Sequence, residues 1–257
     1  MKYQFGDQDL AARRLEVVAR VFETTTREFL QRVCPQRVRS AVDLGCGPGF
    51  TTRLLADVLG CAVAGLDTSE RFLDKTRELG DPRLRFHRHD VLTTPFPEAP
   101  ADLLFCRYLL SHLPDPRDCL DTWSTQLIAG GLLLIEEVEA IETTLPIFER
   151  YLKVVDSMLN SQGTDLYVGP LLDQLDEPPL LRRVVSGTRR LRVSNPDAAT
   201  MFSMNVPNWR DRPFIRETYG DDSIRELEAE LKQLAGAAGS ESAITWTLRQ
   251  IVFERRA

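Results

Sequence analysis

A short apolar strand that ends in a glycine-rich turn and leads into a helix constrains the fold of this chain more than any other feature. Residues 40–44 favour a strand, and the turn Gly-Cys-Gly-Pro-Gly at 45–49 follows directly. Residues 50–59 then have the apolar spacing of a helix. Strand, glycine turn and helix in this order begin a βαβ unit and predict a parallel sheet.

The alternation of strands and helices continues along the first half of the chain. The predicted strands are 62–66, 83–88, 102–106 and 132–138, and the predicted helices are 70–78 and 117–127. Strands interleaved with helices indicate an α/β fold whose largely parallel sheet is covered by helices on both faces. One or two further helices are predicted at residues 8–32, with a polar run of three threonines between their apolar positions.

The pattern changes after Glu139. Residues 145–159 favour a helix, and residues 163–179, rich in glycine, proline and acidic residues, favour a loop. We interpret this region as an insertion or lid. The sheet is then completed by predicted strands at 180–193 and 243–253, with a helix at 222–234 between them; period-two alternation identifies the last run as a strand.

Composition excludes several classes of protein. The chain has 257 residues, 43% hydrophobic and 27% charged, which suits one globular domain. Its apolar stretches are shorter than the ~20 residues of a membrane span, and the N-terminus lacks an apolar signal core, so we expect a cytoplasmic protein without a membrane partner. Five scattered cysteines without a C-x-x-C pair suggest neither a disulfide framework nor a zinc site.

Charge points to a small-molecule partner. The net charge of −6 disfavours extended contact with nucleic acid. Five arginines at 182–192 form a basic stretch that we interpret as the solvated edge of a strand rather than an RNA-binding patch. His87 and His89 alternate on a strand, but a third ligand is missing, so we expect no metal. The oligomeric state remains open.

Acidic residues after successive strands indicate a nucleoside cofactor. Asp67 ends the second strand ~20 residues after the glycine turn, where a carboxylate binds ribose hydroxyls. Asp90 follows the third strand and can accept a hydrogen bond from an exocyclic amine, although capping a turn is the alternative. A dinucleotide is disfavoured because Phe50 stands where G-x-G-x-x-G requires a glycine.

The successive motifs VDLGCGPG, GLDTS, HDV, ADLLFCRYLLSHLPDP and LIAGGLLLIEE resemble those of class I S-adenosylmethionine-dependent methyltransferases that act on small molecules. The resemblance is close from Ser40 to Glu137. It implies a three-layer, Rossmann-like, seven-stranded and mostly parallel sheet with an antiparallel last strand, preceded by N-terminal helices and carrying a lid insertion. The implied cofactor is S-adenosylmethionine, and the implied product is S-adenosylhomocysteine.

In that family the glycine loop contacts the methionine portion, the residue matching Asp67 holds the ribose, and the position matching Asp90 reads adenine. The candidate cofactor-binding residues are Asp43, Gly45, Cys46, Gly47, Gly49, Asp67, Thr68, Asp90, Val91, Cys106 and Arg107. The candidate lid and substrate residues are Tyr3, Phe5, Arg14, Glu137, Tyr151, Tyr167 and Trp209. For each of the aromatic residues, packing in the core is the alternative.

Methyl transfer from a sulfonium is an in-line displacement that needs a base only when the nucleophile arrives protonated. His112 is the candidate catalytic base because it can titrate near neutral pH; orienting the loop before Pro114 is the alternative. Arg107 either pairs with a carboxylate of a ligand or braces Glu136 or Asp102. Alternation places Glu137 and Glu139 on one face, to hold a substrate ammonium or to form a salt bridge.

The sequence therefore predicts methyl transfer to an O, N or C atom of a small acceptor. Two alternatives stay open: non-methyl chemistry of the same cofactor, giving methylthioadenosine by cyclisation or aminocarboxypropyl transfer, and a non-catalytic binding module. The predicted division of the chain is an N-terminal helical lid (1–38), a cofactor-binding core (39–139), a cap with the sixth strand (140–215), and the last helix and strand (216–257).

Overall fold

A mixed, seven-stranded sheet forms the centre of the computed structural model, which describes residues 9–76, 80–239 and 241–257. The strand order is β3-β2-β1-β4-β5-β7-β6. The strands are β1 (Ser40–Leu44), β2 (Ala62–Asp67), β3 (Leu84–Arg88), β4 (Ala101–Arg107), β5 (Leu127–Thr143), β6 (Leu181–Val193) and β7 (Ile244–Arg255). Strands β1 to β5 pair in parallel, and β7 lies antiparallel between β5 and β6. The predicted α/β class, with its antiparallel last strand, is confirmed.

Helices cover both faces of the sheet. They are α1 (Asp9–Val33), α2 (Phe50–Leu59), α3 (Glu70–Thr76), α4 (Pro116–Ser124), α5 (Pro146–Asn160), α6 (Val168–Gln174), α7 (Asn195–Trp209), α8 (Pro213–Tyr219) and α9 (Asp221–Ala235). One face packs on α1 and α2 through residues such as Phe29 and Leu55. The other face packs on α4 and α6 through Trp123 and Leu172. Among the described helices, none combines the length and the apolar character needed to cross a bilayer.

A second core lies beyond the carboxyl ends of β1, β2 and β4. There β5 and β7 extend past the parallel strands and pair as far as Thr143 and Ile244. Helices α5, α7 and α9 and the middle of α1 bury their apolar faces against these extensions, around Phe148, Trp209 and Leu231. Because this core stands above the edge where β1, β2 and β4 end, it forms a roof over that edge.

Several local predictions differ from the structure. The threonine run does not interrupt α1, and the hydroxyl of Thr25 bonds back to the carbonyl of Phe22 at 2.8 Å. The predicted loop at 163–179 contains α6, and the roof contains α7 and α8, which the sequence reading did not predict. Helix α4 ends at Ser124, so β5 begins before the predicted residue 132.

Candidate active site

A cavity of about 260 Å³ opens where the parallel strands end. Its floor is built by the glycine turn after β1, by Asp67 and Thr68 at the end of β2, by residues 89–92 after β3, and by the segment after β4 that includes Arg107 and His112. Its roof is the second core. The cavity therefore lies at the carboxyl edge of the sheet, where open α/β sheets bind their ligands.

The glycine turn is shaped by backbone conformations that favour glycine. Gly45, Gly47 and Gly49 have φ values of +69°, +52° and +83°. A Cβ atom on Gly45 would lie 2.8 Å from Leu109 Cδ1, so the turn and the segment after β4 approach closely. A side chain at this position would strain the backbone and displace Leu109.

Asp67 joins the end of β2 to this turn. Its Oδ2 accepts a hydrogen bond from Gly47 N, and its Oδ1 accepts one from Ser69 N, both at 2.8 Å. The carboxylate lines the cavity in a fixed orientation. An acceptor held in this way is preorganised to bind ligand hydroxyls.

The segment after β3 supplies a second acidic wall. Asp90 Oδ1 accepts from Leu92 N at 3.0 Å, so this carboxylate caps a turn while it lines the cavity. The carbonyl of Val91 accepts from Trp123 Nε1 at 2.8 Å, which fixes the segment to α4. Asp90 therefore caps a turn, as the alternative interpretation expected, and also lines the cavity.

Arg107 at the end of β4 contacts two helices. Its guanidinium donates to Thr26 Oγ1 on α1 at 3.0 Å and to Thr51 Oγ1 on α2 at 2.9 Å. Thr26 in turn donates to Glu136 Oε2 at 2.5 Å. Arg107 also lines the cavity, so it links the floor to α1, which contributes further lining residues.

A buried carboxyl behind the cavity wall orders the segment after β4. Glu137 is fully buried, and its Oε1 accepts from Leu109 N at 2.7 Å and from Leu110 N at 2.8 Å. Burial raises the pKa of this carboxyl to about 7. Tyr108, just before these donors, has a φ of +54°, a conformation that is costly for a residue other than glycine. The Glu137 bonds therefore support a strained backbone at the cavity wall.

His112 follows in a single 3-10 turn, Leu110–His112, and lines the cavity. Burial, reinforced by the charge of Arg14, lowers its pKa to about 4. The imidazole is therefore neutral at physiological pH. A neutral imidazole can accept a proton, which is the protonation state that a general base requires.

The cavity extends from this floor into a part that we call the apolar lobe. Its lining residues come from α1, β5, α5, α7, β7 and the segment before α6. They are Phe22, Val138, Ile141, Tyr151, Leu152, Val155, Leu159, Leu166, Met201, Phe202, Asn205 and Trp246. The arrangement thus combines a polar floor, suited to a nucleoside, with an adjoining chamber suited to a second, apolar molecule.

The residues that form the cavity floor lie in a part of the chain that matches a known protein family. Residues 42–135, which run from β1 into β5, match the family described as "Methyltransferase domain". This part of the chain is therefore similar to known methyltransferase domains. The matched range contains the glycine turn, Asp67, Asp90 and His112, so the family match and the cavity floor coincide.

Curated relatives align over a similar fraction of the chain. The chain is 39% identical over 111 residues to trans-aconitate 2-methyltransferase of Rhizobium leguminosarum bv. trifolii and 40% identical over 110 residues to that of Methylobacterium radiotolerans. The alignments cover 43% and 42% of this chain and the same shares of the two relatives. The chain therefore matches less than half the length of these enzymes.

Solved structures resemble the chain over most of its length. The Bacillus halodurans protein BH2331 has a TM-score of 0.59 at 14% identity, with 91% of this chain and 100% of that one covered. Coclaurine N-methyltransferase bound to N-methylheliamine and SAH has a TM-score of 0.54 at 17% identity, with 91% and 72% covered. At these identities the likeness establishes the shared fold.

The structure brings most of the predicted site residues to one cavity. Those that line it are Arg14, Gly45, Cys46, Gly47, Asp67, Thr68, Asp90, Val91, Arg107, His112 and Tyr151. Those placed outside the lining are Asp43, Gly49, Cys106, Glu137, Tyr167 and Trp209. Tyr3 and Phe5 lie outside the described residues.

The residues outside the lining have structural contacts instead. Asp43 is buried, accepts from Thr52 Oγ1 at 2.7 Å, and has its pKa raised by burial to about 7. Trp209 is fully buried in the second core. Glu139 forms an ion pair with Arg249 at 2.5 Å, the salt-bridge alternative that the sequence left open.

Sequence reasoning missed much of the apolar lobe and Tyr108. The missed lining residues include Phe22, Phe202, Asn205 and Trp246, which stand on three segments far apart in the chain. They belong to no motif and look like ordinary core positions. Only the tertiary packing of α1, α7 and β7 brings them together.

Proposed function

We propose that this protein uses S-adenosylmethionine to methylate a small-molecule acceptor. The observation that carries the proposal is that one cavity joins the glycine turn and Asp67 to an enclosed apolar lobe. A pure binding module would need only the first part. The family match over residues 42–135 and the names of the curated relatives support the same reaction class.

The residues of the floor fit the cofactor. A side chain at Gly45 would occupy the space beside the turn, since its Cβ atom would lie 2.8 Å from Leu109. In the proposal the backbone of the glycine turn holds the methionine portion, Asp67 the ribose, and Asp90 with Val91 the adenine. When bound, the sulfonium supplies an electrophilic methyl group.

The protein's own residues contribute position and proton acceptance. The Arg107 bonds to Thr26 and Thr51 hold α1 and α2 against the end of β4. In the proposal His112, which lines the cavity and is neutral at physiological pH, accepts the proton of an acceptor hydroxyl or amine. Alignment of the two reactants supplies the remainder of the acceleration.

The same proposal assigns the cap at 140–215 and α1 to the acceptor and residues 39–139 to the cofactor. It also places the enzyme in the cytoplasm without nucleic acid as a partner. The supporting observations are the free thiols of all five cysteines and the net charge of −6.

Turnover tests the proposal. The purified protein is incubated with S-adenosylmethionine and a pool of small acceptors, and the products are followed by mass spectrometry. S-adenosylhomocysteine formed together with an acceptor that gains one methyl group supports methyl transfer. Methylthioadenosine formed without an acceptor would instead show cleavage on the other side of the sulfur and would refute the assigned reaction.

A further inference from the structure

The apolar lobe lacks the charges that an anionic acceptor would need. Its described lining residues carry neither carboxylates nor cationic groups. The two arginines of the cavity stand outside the lobe: Arg107 bonds to two threonines, and Arg14 lies near His112. A carboxylate buried in such surroundings without a cation is strongly disfavoured. A tricarboxylate such as trans-aconitate therefore does not fit this lobe.

The walls of the lobe are aromatic and arranged in contact. The rings of Phe22 and Trp246 are 5.9 Å apart at an angle of 73°, and those of Phe202 and Trp246 are 5.7 Å apart. Tyr151 stacks on Phe202 with ring centroids 4.0 Å apart. Such walls favour a flat ring, since offset and edge-to-face contacts add to the burial of apolar surface.

Two buried polar atoms, one in the lobe and one beside it, lack a hydrogen-bond partner among the described residues. Asn205 Nδ2 donates to Tyr151 Oη at 2.9 Å, whereas Asn205 Oδ1 is buried and has no hydrogen-bond partner among the described residues. Tyr108 Oη, at the border between the lobe and the floor, is also buried and has no hydrogen-bond partner among the described residues. Leaving a buried polar atom unsatisfied is costly, so both positions are suited to a ligand that satisfies them.

The hydrogen-bond pattern selects the chemistry of that ligand. If the amide of Asn205 is turned, its nitrogen rather than its oxygen lacks a partner. A hydroxyl group both donates and accepts, so it satisfies either orientation of the amide as well as the hydroxyl of Tyr108. A carboxylate can satisfy only a donor.

We propose that the acceptor is an uncharged, ring-containing hydroxy compound of the phenol class, bound against this aromatic cluster and recognised by Asn205 and Tyr108. This inference rests on the proposed function, because it names the substrate class of the same site. It also separates this enzyme from the relatives named for trans-aconitate, which it matches over less than half of their length.

Binding to the protein saturated with S-adenosylhomocysteine tests the inference by calorimetry. The probes are 2-naphthol, naphthalene and trans-aconitate. We expect 2-naphthol to bind one-to-one and at least about tenfold more tightly than trans-aconitate. Asn205→Leu should weaken 2-naphthol about two- to tenfold, the loss of one neutral hydrogen bond, and leave naphthalene unchanged.

Asn208→Leu is the matched control, because Asn208 lies on the same helix outside the cavity lining and bonds to the carbonyl of Met204. It should keep the wild-type affinity for 2-naphthol. Unchanged S-adenosylhomocysteine affinity shows that each variant is folded. Tighter binding of trans-aconitate, absence of 2-naphthol binding, or equal 2-naphthol affinities of wild type and Asn205→Leu would overturn the inference. Failure of S-adenosylhomocysteine itself to bind would refute the proposed function separately, and the same titrations without it would still test the lobe.

Discussion

Replacement of Glu137 tests whether a buried carboxyl maintains the cavity wall. Glu137→Ala leaves the N–H groups of Leu109 and Leu110 without their acceptor. Each unsatisfied donor costs about 1–3 kcal/mol, so we expect the free energy of unfolding to fall by about 2–6 kcal/mol. That is a large part of the stability of an ordinary domain. Glu137→Gln keeps the accepting oxygen and should cost much less.

The pH dependence of the free energy of unfolding tests the role of Glu137 more specifically. The folded pKa of about 7 lies above the ordinary value of 4.5, so between these values the folded state holds more protons than the unfolded chain. The stability contributed by the protonated carboxyl is therefore complete below pH 4.5 and is lost as the pH rises towards 7. The stability of Glu137→Gln relative to wild type should rise by about 3 kcal/mol over this range.

Urea unfolding followed by circular dichroism at pH 4.5 and pH 7.5 measures both effects. Glu217→Gln serves as the control, because Glu217 is exposed on α8 and should leave stability and its pH dependence unchanged. A loss below 1 kcal/mol for Glu137→Ala, or a Glu137→Gln difference that stays constant with pH, would contradict this account of the wall.

Two further substitutions test packing and charge. Gly65→Ala places a Cβ atom 2.7 Å from Phe86 Cδ1, so urea unfolding should show a free energy of unfolding lower by about 1–3 kcal/mol. Gly187→Ala is the control, because its Cβ atom meets no atom within 4 Å, and it should leave the free energy of unfolding unchanged. Equal losses in the two variants would refute the packing argument. The folded pKa of His112, about 4, lies below the ordinary value of 6.5, so the free energy of unfolding of the wild type falls as the pH drops from 6.5 towards 4. His112→Asn should remove this pH-dependent loss of stability. Parallel curves of stability against pH for the two proteins would exclude a buried neutral imidazole.

The fold and the cavity floor could be predicted because their signals are local. The glycine turn, Asp67 and Asp90 each follow a strand, and parallel strands bring their carboxyl ends to one edge. The helix α7 was missed, although Ser194 accepts from Asp197 N and a proline stands in the first turn, a capping pattern that the sequence displays.

The apolar lobe could not be predicted in the same way. Of its aromatic residues, Tyr151 was a predicted substrate candidate. Phe22, Phe202 and Trp246 stand on three further elements, and each has the apolar spacing of an ordinary core position. Their convergence depends on how far β5 and β7 extend beyond the parallel strands. Glu137 was expected at the substrate, but its bonds to Leu109 and Leu110 follow from the path of the backbone after β4, for which the sequence carries no separate signal.

The most direct test of the central claim is a calorimetric titration of the protein with S-adenosylmethionine. The account predicts saturable one-to-one binding, weakened by about 1–3 kcal/mol in Asp67→Ala, which is roughly 5- to 150-fold in the dissociation constant. Asp57→Ala, a change at a surface carboxylate that pairs with Arg83 away from the cavity, should bind like wild type. Absence of binding, or equal affinity of the wild type and Asp67→Ala, would contradict the assignment of this cavity to the cofactor.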